Sequence, residues 1–466
     1  MNKKELESMR NSFKTVYDKR KELLNDPRTK KLQEKVIDIR KEAINNNKEL
    51  LEIAKKSFKE NDIDYYFAED DSKARDIIYN IIKESGENEI NEFASNKNTE
   101  NEINEFASNK NTENEINEFV SNKNTENKDI VNLSESITIA KSKSNTLGEI
   151  NLSEFLESSG INLIETDLGD RILQLKRDNN KPVHPTGPAV HLNVKDIAEI
   201  INTTLNTNVS ADAKAIMKVV REDVLEKIAN TSIGLSGANA VASEDGSLVF
   251  VHNEGNISLI SLMKTHIIVV GIDKFVRTIE DAISIAKLET SYATGSKVTS
   301  YINIVSGPSK TADIEKKLIK NMYGAEKVIV IFLDNGRSRA LESIDECLLC
   351  IGCGSCIISC PVYNVIGNEF GFNYSFGGRG VAMSNFIKDV ETSFDSGLYK
   401  CALCGFCTVN CPVAIQTDNI IEKIREDSQN KGFYPKAHEK IKENIKNKGS
   451  PYWLAVYFYY ISLLNL

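Results

Sequence analysis

Eight of the nine cysteines in this chain form two copies of the same spacing. Each copy has the pattern Cys-x2-Cys-x2-Cys-x3-Cys-Pro, in which x is any residue. Proteins with two [4Fe–4S] clusters have this pattern, and the fourth cysteine of each run binds the other cluster. We therefore predict that Cys350, Cys353, Cys356 and Cys411 bind one cluster and that Cys401, Cys404, Cys407 and Cys360 bind the second.

Other uses of these thiols fit the chain less well. A structural zinc site usually has two separated pairs of Cys or His ligands around one ion. Each run here instead has three closely spaced cysteines and a fourth before a proline, which does not match that arrangement. Disulfides brace small domains in oxidising compartments, whereas all nine cysteines lie between positions 347 and 411 of the 466 residues. Using Cys347 as a ligand would shift the register and leave Cys360 without a role. We interpret Cys347 as a non-ligand.

Composition and charge indicate an ordinary protein with room for two or three domains. Hydrophobic residues make up 41% and charged residues 27%, which is enough to form buried cores. The net charge of −9 gives no electrostatic support for binding nucleic acid. The N-terminal segment is charged throughout and lacks the apolar stretch of a signal peptide. We therefore expect a cytoplasmic protein.

The first 85 residues have the apolar spacing of amphipathic helices, with a short strand between 61 and 69 and a helix over 71–84. The motif NEINEFASNKNTE then occupies 88–100 and 101–113, and 114–126 repeats it with one substitution. Each copy has too few apolar residues for a stacked core. We interpret the repeat as a disordered or weakly helical insertion, with a partner-binding array as the alternative.

From about 130 to 336, strand-like runs alternate with helical stretches, which favours a largely parallel sheet covered by helices. The segment has neither a dinucleotide fingerprint nor a P-loop. The turn Asn253–Asn256 follows a predicted strand, where ligands bind in such sheets, but we favour an ordinary turn. We interpret each histidine as a surface or satisfied core residue. The predicted strands are 137–140, 161–164, 248–251, 267–270 and 328–333, the helices are 213–228 and 276–288, and the histidines are His184, His191, His252, His266 and His438.

The 40 residues between the two cysteine runs contain the glycine-rich stretch Phe376–Gly380 and a predicted helix over 382–390. So long a connection favours a helical ferredoxin module, with a further helix over 418–430. The last 16 residues are almost entirely apolar but shorter than the roughly 20 that span a bilayer. We predict no transmembrane segment, and interpret the tail as a buried helix or subunit contact, with interfacial membrane attachment as the alternative.

Residues 236–256, 266–274, 333–339 and 350–367 together resemble the lactate-utilisation protein B family in order and spacing. The resemblance covers about 30–85 and 127–430. It implies an α/β LUD domain with a NagB/RpiA/CoA-transferase-like fold, followed by a dicluster domain whose ligands are the same eight cysteines. It gives no secure catalytic residue, so the catalytic residues are unknown. The chain departs from the family in the repeat, in the tail, and at Gly377–Gly380, where the family usually has Gly-Pro-Ile-Gly.

The resemblance further implies an iron–sulfur electron-transfer subunit of a cytoplasmic complex that oxidises L-lactate to pyruvate. Its partners would be lactate-utilisation proteins A and C and an electron acceptor of unknown identity. The alternatives are a related glycolate- or heterodisulfide-type subunit, or a redox- and metabolite-sensing scaffold. We predict five regions: a mainly helical N-terminal part (1–85), the repeat (86–129), the LUD α/β domain (130–340), the helical dicluster domain (341–430) and a tail (431–466).

Within the cysteine loops, small and rigid residues have predicted roles. Gly352, Gly354 and Gly405 would let backbone N–H groups approach the cluster, because glycine has no Cβ. Pro361 and Pro412 would fix the direction in which the chain leaves each loop.

Overall fold

The computed structural model describes residues 1–86, 137–177 and 181–448. The repeat at 88–126 and the apolar tail from 451 onward lie outside these ranges, so the hypotheses about them stay predictions. Within the described ranges, no helix combines the length and apolar character needed to cross a membrane.

The described chain alternates helices with short strands. The strands are β1 (Ile63–Ala68), β2 (Thr138–Lys141), β3 (Asn162–Glu165), β4 (Ile233–Gly237), β5 (Ala240–Ala242), β6 (Ser247–His252), β7 (Thr265–Gly271), β8 (Phe275–Val276), β9 (Tyr301–Val305), β10 (Lys310–Thr311), β11 (Ile319–Lys320), β12 (Lys327–Leu333), β13 (Gly371–Phe372) and β14 (Ser375–Phe376). The helices are α1 (Lys3–Asn25), α2 (Pro27–Asn45), α3 (Asn47–Glu60), α4 (71–86), α5 (Asn145–Glu149), α6 (Leu152–Ser158), α7 (Leu168–Lys176), α8 (Val194–Thr204), α9 (Ala213–Ile228), α10 (Asn256–Ile260), α11 (Ile279–Thr294), α12 (Arg337–Leu341), α13 (Ser355–Ile358), α14 (Tyr363–Ile366), α15 (Gly377–Ile387), α16 (Val390–Asp395), α17 (Phe406–Val409), α18 (Thr417–Asn430) and α19 (Lys436–Lys448).

A six-stranded sheet with the order β1-β12-β7-β4-β2-β3 forms the centre of the fold, and each neighbouring pair is parallel. Strands β7 and β12 are buried almost along their whole length, which is typical of parallel strands covered on both faces. The α/β architecture predicted from the sequence is confirmed. Because the strands are parallel, their carboxyl ends meet at one edge of the sheet.

Strand β4 lies inside this sheet, although no strand was predicted there from the sequence. Its residues, Ile-Gly-Leu-Ser-Gly, include few β-branched side chains. Small residues are needed here because helix α10 packs closely: a Cβ on Gly234 would lie 2.6 Å from Cγ2 of Ile260. Tertiary packing rather than β propensity therefore places this strand.

A second sheet, with the order β8-β5-β6-β9, packs beside the first. It accounts for one difference from the predicted elements, since Phe275–Val276 pairs with β5 instead of starting a helix. Helix α11 begins only after Thr278, whose side chain accepts the backbone N–H of Asp281. The predicted start of this helix was therefore wrong by a few residues.

The predicted helix over 382–390 is also displaced. Helix α15 begins earlier, at Gly377, and ends at Ile387. Asp389 caps the following helix by accepting the backbone N–H of Thr392 at 2.8 Å. An Asp side chain at this position favours a helix start over a helix interior, and it separates α15 from α16.

The N-terminal helices pack against both the sheet region and the cysteine-containing region. Residues of α1 to α3, of the sheets and of the cysteine loops belong to one continuous hydrophobic core. The buried guanidinium of Arg40 in α2 donates to the backbone carbonyls of Asp273 at 2.7 Å and Leu349 at 3.1 Å. The domain boundaries drawn from the sequence stay a prediction, because this core crosses them.

The connection from the sheet to the cysteine region depends on Gly336, which has φ of +84°. We expect Gly336→Ala to destabilise the protein by roughly 3 kcal/mol or more, because alanine is strained at a left-handed φ and its Cβ would also clash with a neighbouring backbone atom. A Cβ at this position would lie 2.1 Å from the carbonyl oxygen of Phe386 in α15. Chemical denaturation followed by circular dichroism measures the change.

Gly432→Ala is the matched control for this prediction. Gly432 also has a positive φ, of +86°, but nothing lies within 4 Å of a Cβ there. The control should therefore lose only about 1 kcal/mol, from backbone strain. Equal losses in the two variants would contradict the close packing of Gly336 against α15.

Candidate functional site

All nine cysteines are free thiols, and eight of them lie in two groups drawn from both cysteine runs. In the first group, burial raises the pKa of Cys353 well above its ordinary value, and charge at Cys350, Cys356 and Cys411 raises it further. Burial also raises the pKa of Cys411 to about 11, with a smaller contribution from Cys350. Cys411, from the second run, therefore lies beside the first run.

The second group combines three cysteines of the second run with one cysteine of the first run. Burial raises the pKa of Cys360 to about 11, and charge at Cys401 and Cys407 adds to the effect. The pKa of Cys407 is raised by burial and by charge at Cys401 and Cys404. Cys360, from the first run, thus lies beside the second run. The two groups lie next to each other, since Cys407 also acts on Cys356.

The two loops share one backbone conformation. The N–H two residues after the first cysteine donates to that cysteine's sulfur, from Gly352 to Cys350 at 3.4 Å and from Leu403 to Cys401 at 3.5 Å. Both donor residues are left-handed, with φ of +82° at Gly352 and +51° at Leu403. The sequence predicted the glycine and missed Leu403, because leucine rarely adopts this conformation.

The next positions also correspond. Gly354 and Gly405 have φ of +71° and +72°, and each precedes a one-turn helix that carries the third cysteine. After Pro361, the backbone N–H of Tyr363 donates to the sulfur of Cys360 at 3.4 Å. Both loops therefore place backbone N–H groups beside the sulfur atoms of their own cysteines.

The chemistry of the donors fits iron–sulfur clusters. Thiolates are the usual ligands of [4Fe–4S] clusters, and N–H groups near sulfur are part of such sites. Within the described ranges, no three His, Cys, Asp or Glu side chains are placed to hold a single metal ion. Cluster ligands bind different iron atoms, so their sulfurs need not approach one another as the ligands of one ion do.

Cys347 lies beside the first group without belonging to its spacing. Its side chain is fully buried, and burial raises its pKa to about 12. Its backbone carbonyl accepts a hydrogen bond of 2.9 Å from Nε of Arg379. The residue thus contributes to packing and to placing Arg379.

A cavity of about 310 Å³ lies between the carboxyl edge of the large sheet and the first cysteine loop. The residues that follow strands β2, β3, β4, β7 and β12 line one side, and the loop from Cys350 to Ile357 lines the other. This is the edge at which open α/β sheets bind ligands. Asn253, Glu254 and Asn256 also line it, so the turn predicted to be an ordinary one faces the cavity as well.

A buried ion network joins the sheet to the loop at this cavity. Arg337 donates to Glu149 at 2.8 Å and to Asp273 at 2.6 Å. Lys274 pairs with Asp273 at 3.1 Å and donates to the carbonyl of Cys350 at 2.6 Å. Burial alone would raise the pKa of Asp273, but Lys274 and Arg337 lower it well below its ordinary range.

Two more ionisable side chains line the cavity. Glu289 accepts a hydrogen bond of 2.8 Å from Asn239, and burial raises its pKa to about 7. The guanidinium of Arg379 lies near the first thiol group, where charge at Cys350 and Cys347 favours its protonated form. Neither side chain was predicted from the sequence to be functional. A usable signal was present for Arg379, since it interrupts a glycine-rich stretch next to the cysteines.

The histidines play no part in the thiol groups, but the prediction that each is satisfied or on the surface was partly wrong. Within the described residues, one ring nitrogen of each of three buried histidines has no hydrogen-bond partner. Burial lowers their pKa values, to about 4 in two cases and about 3 in the third, which keeps the rings neutral. These three are His184, His191 and His266.

Comparison with known proteins agrees with this architecture. The LUD domain family model matches residues 51–333, and the 4Fe-4S dicluster domain model matches residues 346–415. The second match covers all eight cysteines of the two groups.

The relatives are proteins named Lactate utilization protein B. The protein from Geobacillus thermodenitrificans is 36% identical over 291 residues, which cover 62% of this chain and 59% of that protein. The protein from Lysinibacillus sphaericus is 35% identical over 302 residues, which cover 64% and 61%. The matched region thus spans about three fifths of each relative's length.

A crystal structure of a duf162 family protein from Deinococcus radiodurans also matches 43% of this chain and 90% of that one, at 14% identity. Its TM-score of 0.19 is too low to support a conclusion. The family models span most of the described sheet and the whole cysteine region. The chain belongs to the LUD domain family and carries a 4Fe-4S dicluster domain.

Proposed function

We propose that the protein is the iron–sulfur electron-transfer subunit of a cytoplasmic complex that oxidises L-lactate to pyruvate. In this proposal it works with lactate-utilisation proteins A and C and with an unidentified electron acceptor. The relatives named Lactate utilization protein B support the substrate, and the dicluster domain supports the electron-transfer role. At finer detail, the proposed fold is a NagB/RpiA/CoA-transferase-like domain followed by a helical ferredoxin module.

The observation that carries the proposal is the nearness of each fourth cysteine to the other run, of Cys411 to the first and of Cys360 to the second. This nearness supports an exchange of fourth ligands, which is the pattern of two-cluster ferredoxin-type proteins. The proposed ligands are therefore Cys350, Cys353, Cys356 and Cys411 for one [4Fe–4S] cluster, and Cys401, Cys404, Cys407 and Cys360 for the other.

When bound, such clusters accept and release electrons one at a time. The chain's own contribution is to hold the thiols, to exclude water from the first group and to supply N–H donors to sulfur. Cys353 is only 6% exposed, whereas Cys404 is exposed to solvent. The second loop therefore offers the shorter path to a partner at the surface.

The crossed ligand sets make a sharp prediction for pairs of substitutions. Cys353→Ser with Cys411→Ser removes two ligands from one set, so about four of the expected eight iron atoms per chain should remain. Cys404→Ser with Cys411→Ser damages both sets and should leave almost no iron. Iron and acid-labile sulfide, measured after anaerobic purification, distinguish the two variants.

Cys347→Ser is the matched control, since Cys347 is a buried thiol beside the first group. It should keep about eight iron atoms and eight sulfides per chain. If the two double variants exchanged their iron contents, each run would bind its own cluster and the crossing would be wrong. Loss of half the iron from the control would show that Cys347 is a ligand.

The function itself is tested by co-expression with lactate-utilisation proteins A and C. Anaerobic addition of L-lactate should reduce the clusters, seen as the EPR signals of two interacting centres that dithionite also produces. Glycolate-dependent reduction without a response to lactate would indicate the related subunit instead. Stoichiometric zinc without sulfide would remove the electron-transfer role.

A further inference from the structure

The outer strand of the second sheet has an open edge. Strand β9 pairs with β6 on one side. On its other side, no backbone hydrogen bond joins Tyr301–Val305 to any residue of the described ranges. Proteins usually protect such an edge with charged side chains, proline or a covering segment, because unpaired N–H and C=O groups attract a further strand. Strand β9 has neither a charged residue nor a proline. Its edge is therefore open to pairing with a strand of another chain.

Exposed apolar side chains surround this edge. The amide of Asn303 in β9 donates to Oγ of Ser258 in α10 at 2.8 Å, which places α10 beside the strand. A Cβ on Gly324 would lie 3.9 Å from Cδ2 of Leu262, so the segment after β11 lies beside the end of α10. We call the exposed apolar side chains of these three segments the edge face. They are Leu259, Leu262, Tyr301, Ile304, Met322 and Tyr323, which are 43–80% exposed.

The edge face is large enough for a stable interface. A large side chain can bury on the order of 200 Å², so six that are about half exposed offer on the order of 600 Å² of apolar surface. A standard interface buries roughly 800 Å² per partner, about 65% of it apolar in homodimers. Monomeric proteins rarely expose continuous apolar patches larger than a few hundred Å². The size of the face therefore matches what one copy buries in a homodimer.

The sequence of β9 favours a second copy of this chain as the occupant of the face. It reads Tyr-Ile-Asn-Ile-Val, which is nearly symmetrical about Asn303. In an antiparallel pair of β9 strands centred on Asn303, Ile302 of one copy lies opposite Ile304 of the other. Tyr301 lies opposite Val305 of the second copy, and an aromatic side chain opposite a β-branched one stabilises neighbouring strands. A two-fold axis through the strand therefore gives apolar pairs on both faces of the sheet.

Charge does not oppose this pairing. The β10–β11 hairpin next to the edge face contains four lysines, and three of them have carboxylate partners. Lys310 and Lys320 pair with Asp62 at 3.6 and 2.9 Å. Lys317 pairs with Glu315. Two copies can therefore bring these faces together without strong repulsion between like charges.

We propose that two copies of this chain associate through the edge face, with their β9 strands antiparallel about a two-fold axis. The second sheets of the two copies then form one continuous sheet, in which each half has the order β8-β5-β6-β9. The apolar side chains of α10 and of the segment after β11 pack around the axis. The face contains no residue of the cysteine loops, so this association goes beyond the proposed electron-transfer role.

Sedimentation velocity of the anaerobically purified chain, with its clusters and over a wide range of concentrations, measures the association. The unmodified protein should sediment as a dimer at high concentration. Ile304→Lys should weaken dimerisation about tenfold or more, because position 304 of one copy lies diagonally across from position 304 of the other and the two charges repel. Ile304→Glu should weaken it for the same reason. The iron content of each variant shows whether it has folded.

A mixture of the Ile304→Lys and Ile304→Glu proteins tests the two-fold register. Opposite charges then lie across the axis, so the mixture should dimerise more tightly than either variant alone. Met217→Lys is the matched control, since Met217 is 52% exposed on α9 and lies outside the edge face. Its substitution should leave dimerisation unchanged. If the β9 variants fail to fold or to load iron, Leu262→Lys tests the same face outside the strand and should also weaken dimerisation.

Three results would overturn the proposal. The first is an unmodified protein that is monomeric at every concentration, as expected if another segment of the chain or a different protein covers the face. The second is a dimer that Ile304→Lys and Leu262→Lys leave as tight as before. The third is a mixture of the two Ile304 variants that dimerises no better than each alone. The proposal can fail separately from the proposed function, because lactate-dependent cluster reduction does not require two copies of this chain.

Discussion

The carboxylate of Asp273 is the point where the parallel sheet and the first cysteine loop are joined. It lies two residues after the end of β7 and is paired with Arg337 and Lys274. Lys274 also donates to the carbonyl of Cys350. Removing one partner from a buried ion network typically costs about 3–5 kcal/mol, because a charge is then left uncompensated. The position of the loop against the sheet, and the cavity between them, therefore depend on these contacts.

The two cysteine loops share a backbone but differ in their surroundings. The first is enclosed by the N-terminal helices and by basic residues such as Arg40 and Arg379. The second lies beside exposed apolar side chains, with Phe406 54% and Val409 83% exposed. Burial and nearby charge are the main means by which a protein adjusts the reduction potential of a cluster. The chain therefore provides two unlike environments from two nearly identical motifs.

Much of the architecture was accessible from local patterns. Continuous apolar runs predicted β7 and β12 because strands buried on both faces need no alternation. The predicted strands that became β2 and β3 lie within a residue or two of the observed ones. Strand β4 was missed because its glycines and serine carry no strand signal, and Gly234 is needed only once α10 is packed against it. The start of α11 was displaced by strand pairing, and the end of α15 by the cap of the following helix.

By itself, the sequence determined the eight cysteines of the two motifs, the glycines that let backbone N–H groups approach them, and the alternating α/β order. These are local properties, because ligand spacing, backbone freedom and apolar periodicity act over a few residues. Only the tertiary structure decided which charges meet at the sheet edge and that Arg379 and Glu289 line one cavity. Those facts depend on contacts between segments more than fifty residues apart in the chain, and no local pattern encodes which distant segments will pack together.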